Sequence, residues 1–267
     1  MPHSSTPLDH ELRAALETTE WSAADTTAMR AEARERLIAA SSTLDPADFR
    51  RLATADVERT VRAIDDLWLG GRIHRTLAAY HIPLHYTLSS RLTRAGGKTT
   101  VYSKVRGGPI DRMQLALSSH LLFQTFAPRA APSGRAVTAC GVACADAIDA
   151  MILITQHEIV HIAEFLTAGA SSCRKPWFQR IAHRLFGHTA HTHALVTSTE
   201  LAATHLNVRR GDRVTFVADG RTITGVVQRI TRRATVLAED PRGALHTDGR
   251  HYVKYYVPLP LLRRAAP

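Results

Sequence analysis

The stretch His157-Glu158-Ile159-Val160-His161 sets two imidazoles four residues apart with a carboxylate beside the first. A helix advances about 100° per residue, so this spacing puts His157 and His161 one turn apart on one face, where both rings can reach a single ion. Glu158 then stands next to them, the arrangement in which a carboxylate takes a proton from metal-bound water. The competing reading is a core helix with two internally satisfied histidines. The apolar run around the motif weighs against it, because polar groups left unpaired there would be expensive.

A catalytic zinc ion usually takes three protein ligands and keeps a fourth position for water. Cys173, twelve residues after His161, is the first choice for the third ligand, as a thiolate; read blandly it is a small buried hydrophobe. His188, directly after Gly187, is its rival. His191 and His193 follow in "FGHTAHTHAL", a run that can equally be solvated or bind metal only adventitiously. His183 falls on the outer side of its helix and is set aside. Glu164 shares the face of His157 but lies two turns along, roughly 10 Å by helix rise. It suits hydrogen bonding to His161 from behind, or a surface position, better than direct ligation. Cys140 and Cys144 have helical i,i+4 spacing but no evident partners, and are read as core or helix-start residues.

These side chains need elements to hold them. Apolar residues at 148, 151, 152, 159, 162 and 166 have mostly helical spacing, and Gly169 is a plausible terminator, so a helix from about Cys144 to Leu166 carries the motif. A second is expected from Pro176 to Gly187, with Phe178, Ile181 and Leu185 inside and Arg180, His183 and Arg184 outside. Upstream, "PLHYTLSSRLTRAGGKTTVYS" reads as two strands joined by a turn at Ala95 to Gly97, and "DRMQLALSS" puts Met113, Leu115 and Leu117 on one face. Three antiparallel strands are therefore expected before the motif helix, with the loop "APRAAPSGRA" between. Residues 1–65 read as helices, one of them capped by Thr43 or Asp45 with Pro46 near its first turn. From about 205 to 264 come short β-rich runs, the first two joined by an Asp219-Gly220 turn, which suggest a small SH3-like barrel. The expected organisation is thus a 1–65 helical region, a 66–200 domain that carries the motif helix and a 205–267 basic β-barrel, α+β overall.

The 267 residues carry a formal charge of +10, which suits a polyanionic partner such as nucleic acid. Residues 205–264 hold twelve Arg or Lys against five Asp or Glu, a surplus of seven out of that ten. The beginning of the chain lacks a basic stretch followed by an apolar one, and no run reaches 18 apolar residues, so neither a secretory signal nor a membrane span is expected. Three cysteines make no disulfide framework, and a reducing cytoplasm fits best.

Taken in order, "YTLSSRLTRAGGKTTVYS", "MQLALSSHLL" and "AMILITQHEIVHIAEF" resemble the SprT-like family of zinc metalloproteases, which includes the Spartan-type proteases that act on proteins crosslinked to DNA. The resemblance covers roughly residues 80–195, and the ordered set is more specific than the five-residue motif. It implies a zincin-like domain in which His157 and His161 bind Zn2+ and Glu158 is the general base of a peptidase. In that family a third histidine follows by about a dozen residues, with an aromatic shortly after. Here the equivalent stretch is "SSCRKPWF", with Cys173 in the ligand's place and Trp177 or Phe178 in the aromatic's. A thiolate donates more charge than imidazole and should make the zinc a weaker Lewis acid. Family members often append a DNA-binding element. No paired CxxC motifs occur here, so "GDRVTF" and "TGVVQRI", which look KOW- or SH3-like, would do that work. Arg209, Arg210, Arg229, Arg232 and Arg233 are the candidates for phosphate contacts, with a nucleoid-associated location as the corollary. Two other readings stay open. One is a non-catalytic nucleic-acid-binding protein whose structural zinc is closed by His157, His161, Cys173 and His188; the other is an inactive protein-interaction adaptor.

Overall fold

Helices α1 (Pro7–Thr18), α2 (Ala23–Ala40), α3 (Thr54–Leu69) and α4 (Arg72–Ala79) lead the chain in a computed structural model that describes residues 7–45, 51–127 and 136–265. In α3, Val57, Val61, Ile64 and Trp68 recur at helical spacing and are all buried, so this amphipathic stripe faces the core. The expected cap is different. The helix begins at Thr54, and Asp56 accepts from the Ala53 amide at 2.8 Å and from the Thr43 hydroxyl at 2.6 Å. Thr43 therefore ties the preceding turn to the carboxylate instead of capping the helix; Pro46 lies outside the described residues.

Strands β1 (Leu84–Leu88), β2 (Gly97–Tyr102) and β3 (Arg112–Leu117) follow, then the short helix α5 (Ser119–Thr125). Met113, Leu115 and Leu117 all point into the core, as their alternation predicts. The pairing does not follow the expectation of three antiparallel strands. The order is β1-β3-β2, with β3 antiparallel to β2 but parallel to β1. The segment from Ser89 to Gly96 is no hairpin turn but a crossing to the far edge, and the β2–β3 hairpin then drops β3 into the centre. There its three apolar residues are covered best, which local alternation cannot reveal.

A two-residue hairpin, β4 (Thr138–Ala139) and β5 (Val142–Ala143), precedes the long helix α6 (Ala147–Ala168); α7 (Pro176–Phe186) and β6 (His193–Ala194) complete this part. Asp146 caps α6 by accepting from the Ile148 and Asp149 amides at 2.9 and 3.0 Å, and Gly169 ends it in the left-handed conformation, φ 69°. Arg34 of α2 hydrogen-bonds Asp146 at 2.8 Å and Asp149 at 3.0 Å, anchoring that end of α6. α6 is buried nearly all round, since α1 to α5, α7 and strands β2 to β4 all pack against it. Phe178, Ile181 and Leu185 of α7 are buried and Arg180 and His183 exposed, as expected, but Arg184 is half-buried and donates to the Glu17 carbonyl at the end of α1. The N-terminal helices thus share one core with the motif helix, and the described residues from 7 to 126 and 136 to 195 form one compact unit.

The residues from 196 onward form a second unit with its own apolar cluster, including Val214, Phe216, Val227 and Val236. It contains α8 (Ser198–His205) and strands β7 (Arg213–Ala218), β8 (Arg221–Ile230), β9 (Arg233–Leu245), β10 (His251–Pro258) and β11 (Arg263–Arg264). They make one five-stranded antiparallel sheet in the order β10-β9-β8-β7-β11. Asp219 and Gly220, both at positive φ, make the expected two-residue turn between β7 and β8. The fold is α+β. Among the described residues no helix is long and apolar enough to cross a membrane.

Candidate metal centre

His157 and His161 sit mid-helix on α6 with their Nε2 atoms 3.2 Å apart. Burial, reinforced by the neighbouring imidazoles of His193 and His161, pushes the His157 pKa down to about 2, and burial alone takes His161 down to about 4. Both rings are therefore neutral, the form in which imidazole ligates a metal. The ring of Phe178 covers them, 4.8 Å from His157 and 4.5 Å from His161 between centroids. Phe178 is thus the aromatic that stands over the pair.

The structure brings Cys173, just before α7, to the pair: the ligand atoms of His157, His161 and Cys173 all lie within 4.8 Å of one another. His188 goes elsewhere. It is buried with Nε2 3.2 Å from the Gln156 side-chain oxygen and Nδ1 unpartnered, and it joins neither of the metal-capable groups among the described residues. Gln156 points away from the face of His157 and His161 and draws His188 with it.

Glu158 is buried and accepts from the Thr99 hydroxyl of β2 at 2.8 Å. Burial raises its pKa to about 7 against the opposing hydrogen bonds from Thr99. Burial raises the pKa of the Cys140 and Cys173 thiols, and the charge of Glu158 adds to the rise at both. The glycines before Thr99 make room for Glu158. A Cβ on Gly97 would lie 2.7 Å from Glu158 Cγ, and one on Gly96 would lie 2.8 Å from Ile154 Cδ1.

Glu164 supports His161, but indirectly. Ser171 donates to Glu164 in a short hydrogen bond, and its hydroxyl oxygen lies 2.6 Å from His161 Nδ1. The hydroxyl bridges the carboxylate to a ring that stands three residues before it on the same helix. With Nδ1 so engaged, Nε2 is the nitrogen left for a metal.

Sequence reasoning reads Cys140 as a core or helix-start residue and His193 as part of a solvated or adventitiously binding run, and misses that the two meet. The Cys140 thiol is buried 3.5 Å from His193 Nδ1 and 3.8 Å from His157 Nδ1, so it is no bystander of the core. These three also form a metal-capable group. The signal that was available is the Cys140-Gly141 pair between two short β-prone runs, a turn whose partner loop no local pattern identifies. Cys144 is not at the helix start: it follows β5, ahead of the Asp146 cap and the first residue of α6 at Ala147, half-buried against the core with its thiol facing the Val142 carbonyl.

The donor set of two neutral imidazoles and a thiol suits zinc, and two nitrogens 3.2 Å apart match neighbouring corners of a tetrahedral site, which lie about 3.3 Å apart for bonds near 2.05 Å. Searches of protein-family models, curated proteins and solved structures return no match to this chain.

Proposed function

We propose that this chain is a zinc-dependent endopeptidase of the SprT-like, zincin type, acting on DNA-associated proteins. The observation that carries the reading is the convergence of His157, His161 and Cys173 beside a buried Glu158. Those three side chains would hold the ion. When bound, zinc supplies Lewis acidity at the scissile carbonyl and lowers the pKa of water.

The chain's own residues do the rest. Glu158, held by Thr99, accepts the proton from the attacking water and passes it to the leaving amine. Its raised pKa belongs to the metal-free chain, and a cation alongside draws it down toward the ionised, basic form. Ser171 and Glu164 fix the orientation of His161, and Phe178 shields the ligands from water.

The second unit is read as an SH3-like, KOW-like module for nucleic acid. Arg209, Arg210, Arg229, Arg232 and Arg233 are all exposed. The Gly211 amide bonds the Val227 carbonyl at 2.8 Å, and Arg229, Arg232 and Arg233 lie in or beside the turn that joins the end of β8 at Ile230 to the start of β9 at Arg233. The five arginines therefore gather at one end of the sheet, which suits phosphate contacts without base readout. A structural zinc closed by His188 is the weaker reading, because His188 faces Gln156.

The test is Glu158→Gln in the full chain. It should keep its zinc and lose casein cleavage by about 10²-fold or more, measured with and without DNA. Undiminished cleavage by the purified variant would remove Glu158 from the mechanism, and no cleavage by the zinc-loaded wild type, with or without DNA, would remove the peptidase reading.

A further inference from the structure

Cys140 occupies a backbone conformation that disfavours a side chain. With Gly141 it makes the two-residue turn between β4 and β5, at φ 54° and 79°, where Asn or Gly is the residue of choice. The turn is also strapped to the histidine-rich loop. Cys140 donates its amide to the Thr192 carbonyl, and its own carbonyl accepts from the Thr189 and Ala190 amides, each at 3.0 Å. This strapping brings His193 to the buried thiol. A backbone held in a costly conformation, aiming a thiol at two imidazoles, calls for something that needs all three.

Hydrogen bonding falls short as that reason. A thiol has one weak proton, while Cys140 Sγ faces His193 Nδ1 at 3.5 Å, His157 Nδ1 at 3.8 Å and the Leu153 carbonyl at 3.7 Å. In a tetrahedral site with bonds of about 2.3 Å to sulfur and 2.05 Å to nitrogen, neighbouring donors lie about 3.6 Å apart. The two sulfur-to-nitrogen separations straddle that value. On the opposite side of the His157 ring, Nε2 faces His161.

We propose that Cys140, His157 and His193 form a second position for a borderline-soft ion such as Zn2+, sharing His157 with the position made by His157, His161 and Cys173. His157 serves one ion through Nε2 and the other through Nδ1. Filling the second position releases two protons to solvent, one from the Cys140 thiol and one from the His157 ring, which becomes a bridging imidazolate. The proposal rests on the metal reading of α6 and not on the peptidase reading.

The experiment is a Co2+ titration of the metal-stripped full chain, following thiolate-to-cobalt absorption, with zinc per chain measured on reloaded protein. Wild type should take two equivalents. Cys140→Asn, which suits the turn and so keeps the hairpin, should take one, as should His193→Gln; near-ultraviolet circular dichroism checks that both variants fold. One equivalent in wild type, or a second equivalent surviving in Cys140→Asn, overturns the second position. In the first case, casein cleavage at one equivalent leaves the peptidase standing without it. Binding of neither ion sinks the metal reading altogether.

Discussion

Glu158 is a carboxylic acid in a place that favours its protonated form. Its folded pKa of about 7 stands above the ordinary 4.5, so the metal-free native state holds a proton that the unfolded chain has lost. Stability of the metal-free protein should therefore fall as pH rises from 4.5 to 7, by on the order of 3 kcal/mol. Glu158→Gln should flatten that slope in urea melts taken across the range; an unchanged slope would mean that Glu158 does not titrate in this window. Ser171 invites a second substitution. Ser171→Ala removes the hydroxyl between Glu164 and His161, and zinc affinity should drop about 10- to 100-fold in a chelator competition. Equal affinity in the two proteins would show that the relay does not hold the ring.

At the scale of elements, β2 can lie against α6 because Gly97 has no side chain. Gly97→Ala drives a methyl group into Glu158 Cγ, and should cost about 1–3 kcal/mol in denaturant unfolding. Lys98→Ala next door is exposed and should stay within about 0.5 kcal/mol of wild type. The start of α6 depends on α2 in turn. Burial would raise the Asp146 pKa, but hydrogen bonds from Arg34 and the helix amides bring it below 3.8. A depressed carboxylate contributes stability above its unfolded pKa and loses it as pH falls through the folded one. The deficit of Arg34→Ala should thus be full at neutral pH, about 1.5–3 kcal/mol, and shrink below pH 3.8. A deficit independent of pH would assign Arg34 a packing role instead.

Across the whole molecule, seven of the ten surplus positive charges lie in residues 205–264, which form most of a unit with its own core. If that surplus meets phosphate, duplex DNA binding should weaken linearly in log salt, with a slope of about −0.9 for each contact. Replacing Arg229, Arg232 and Arg233 by alanine in the full chain should flatten the slope by up to about 2.7 without changing sequence preference. Binding with an unaltered slope would place the contacts elsewhere on the chain.

The sequence by itself determined what depends on local spacing. The one-turn separation of His157 and His161, the buried stripe of Met113, Leu115 and Leu117, the Asp219-Gly220 turn and the Gly169 terminator all follow from helix and strand periods and from backbone sterics. Tertiary structure decided what depends on partners distant in the chain. Strand β3 entered between β1 and β2 because coverage of its apolar face, not adjacency in sequence, sets the pairing. Cys173 came to the histidine pair while His188 turned to Gln156, although both had suitable residue types. Cys140 and His193 met only because a turn at residue 140 and a loop at residue 192 exchange backbone hydrogen bonds. Ligation needs atoms within a few ångströms of one another, and a distance of that kind between residues fifty apart is a property of packing alone.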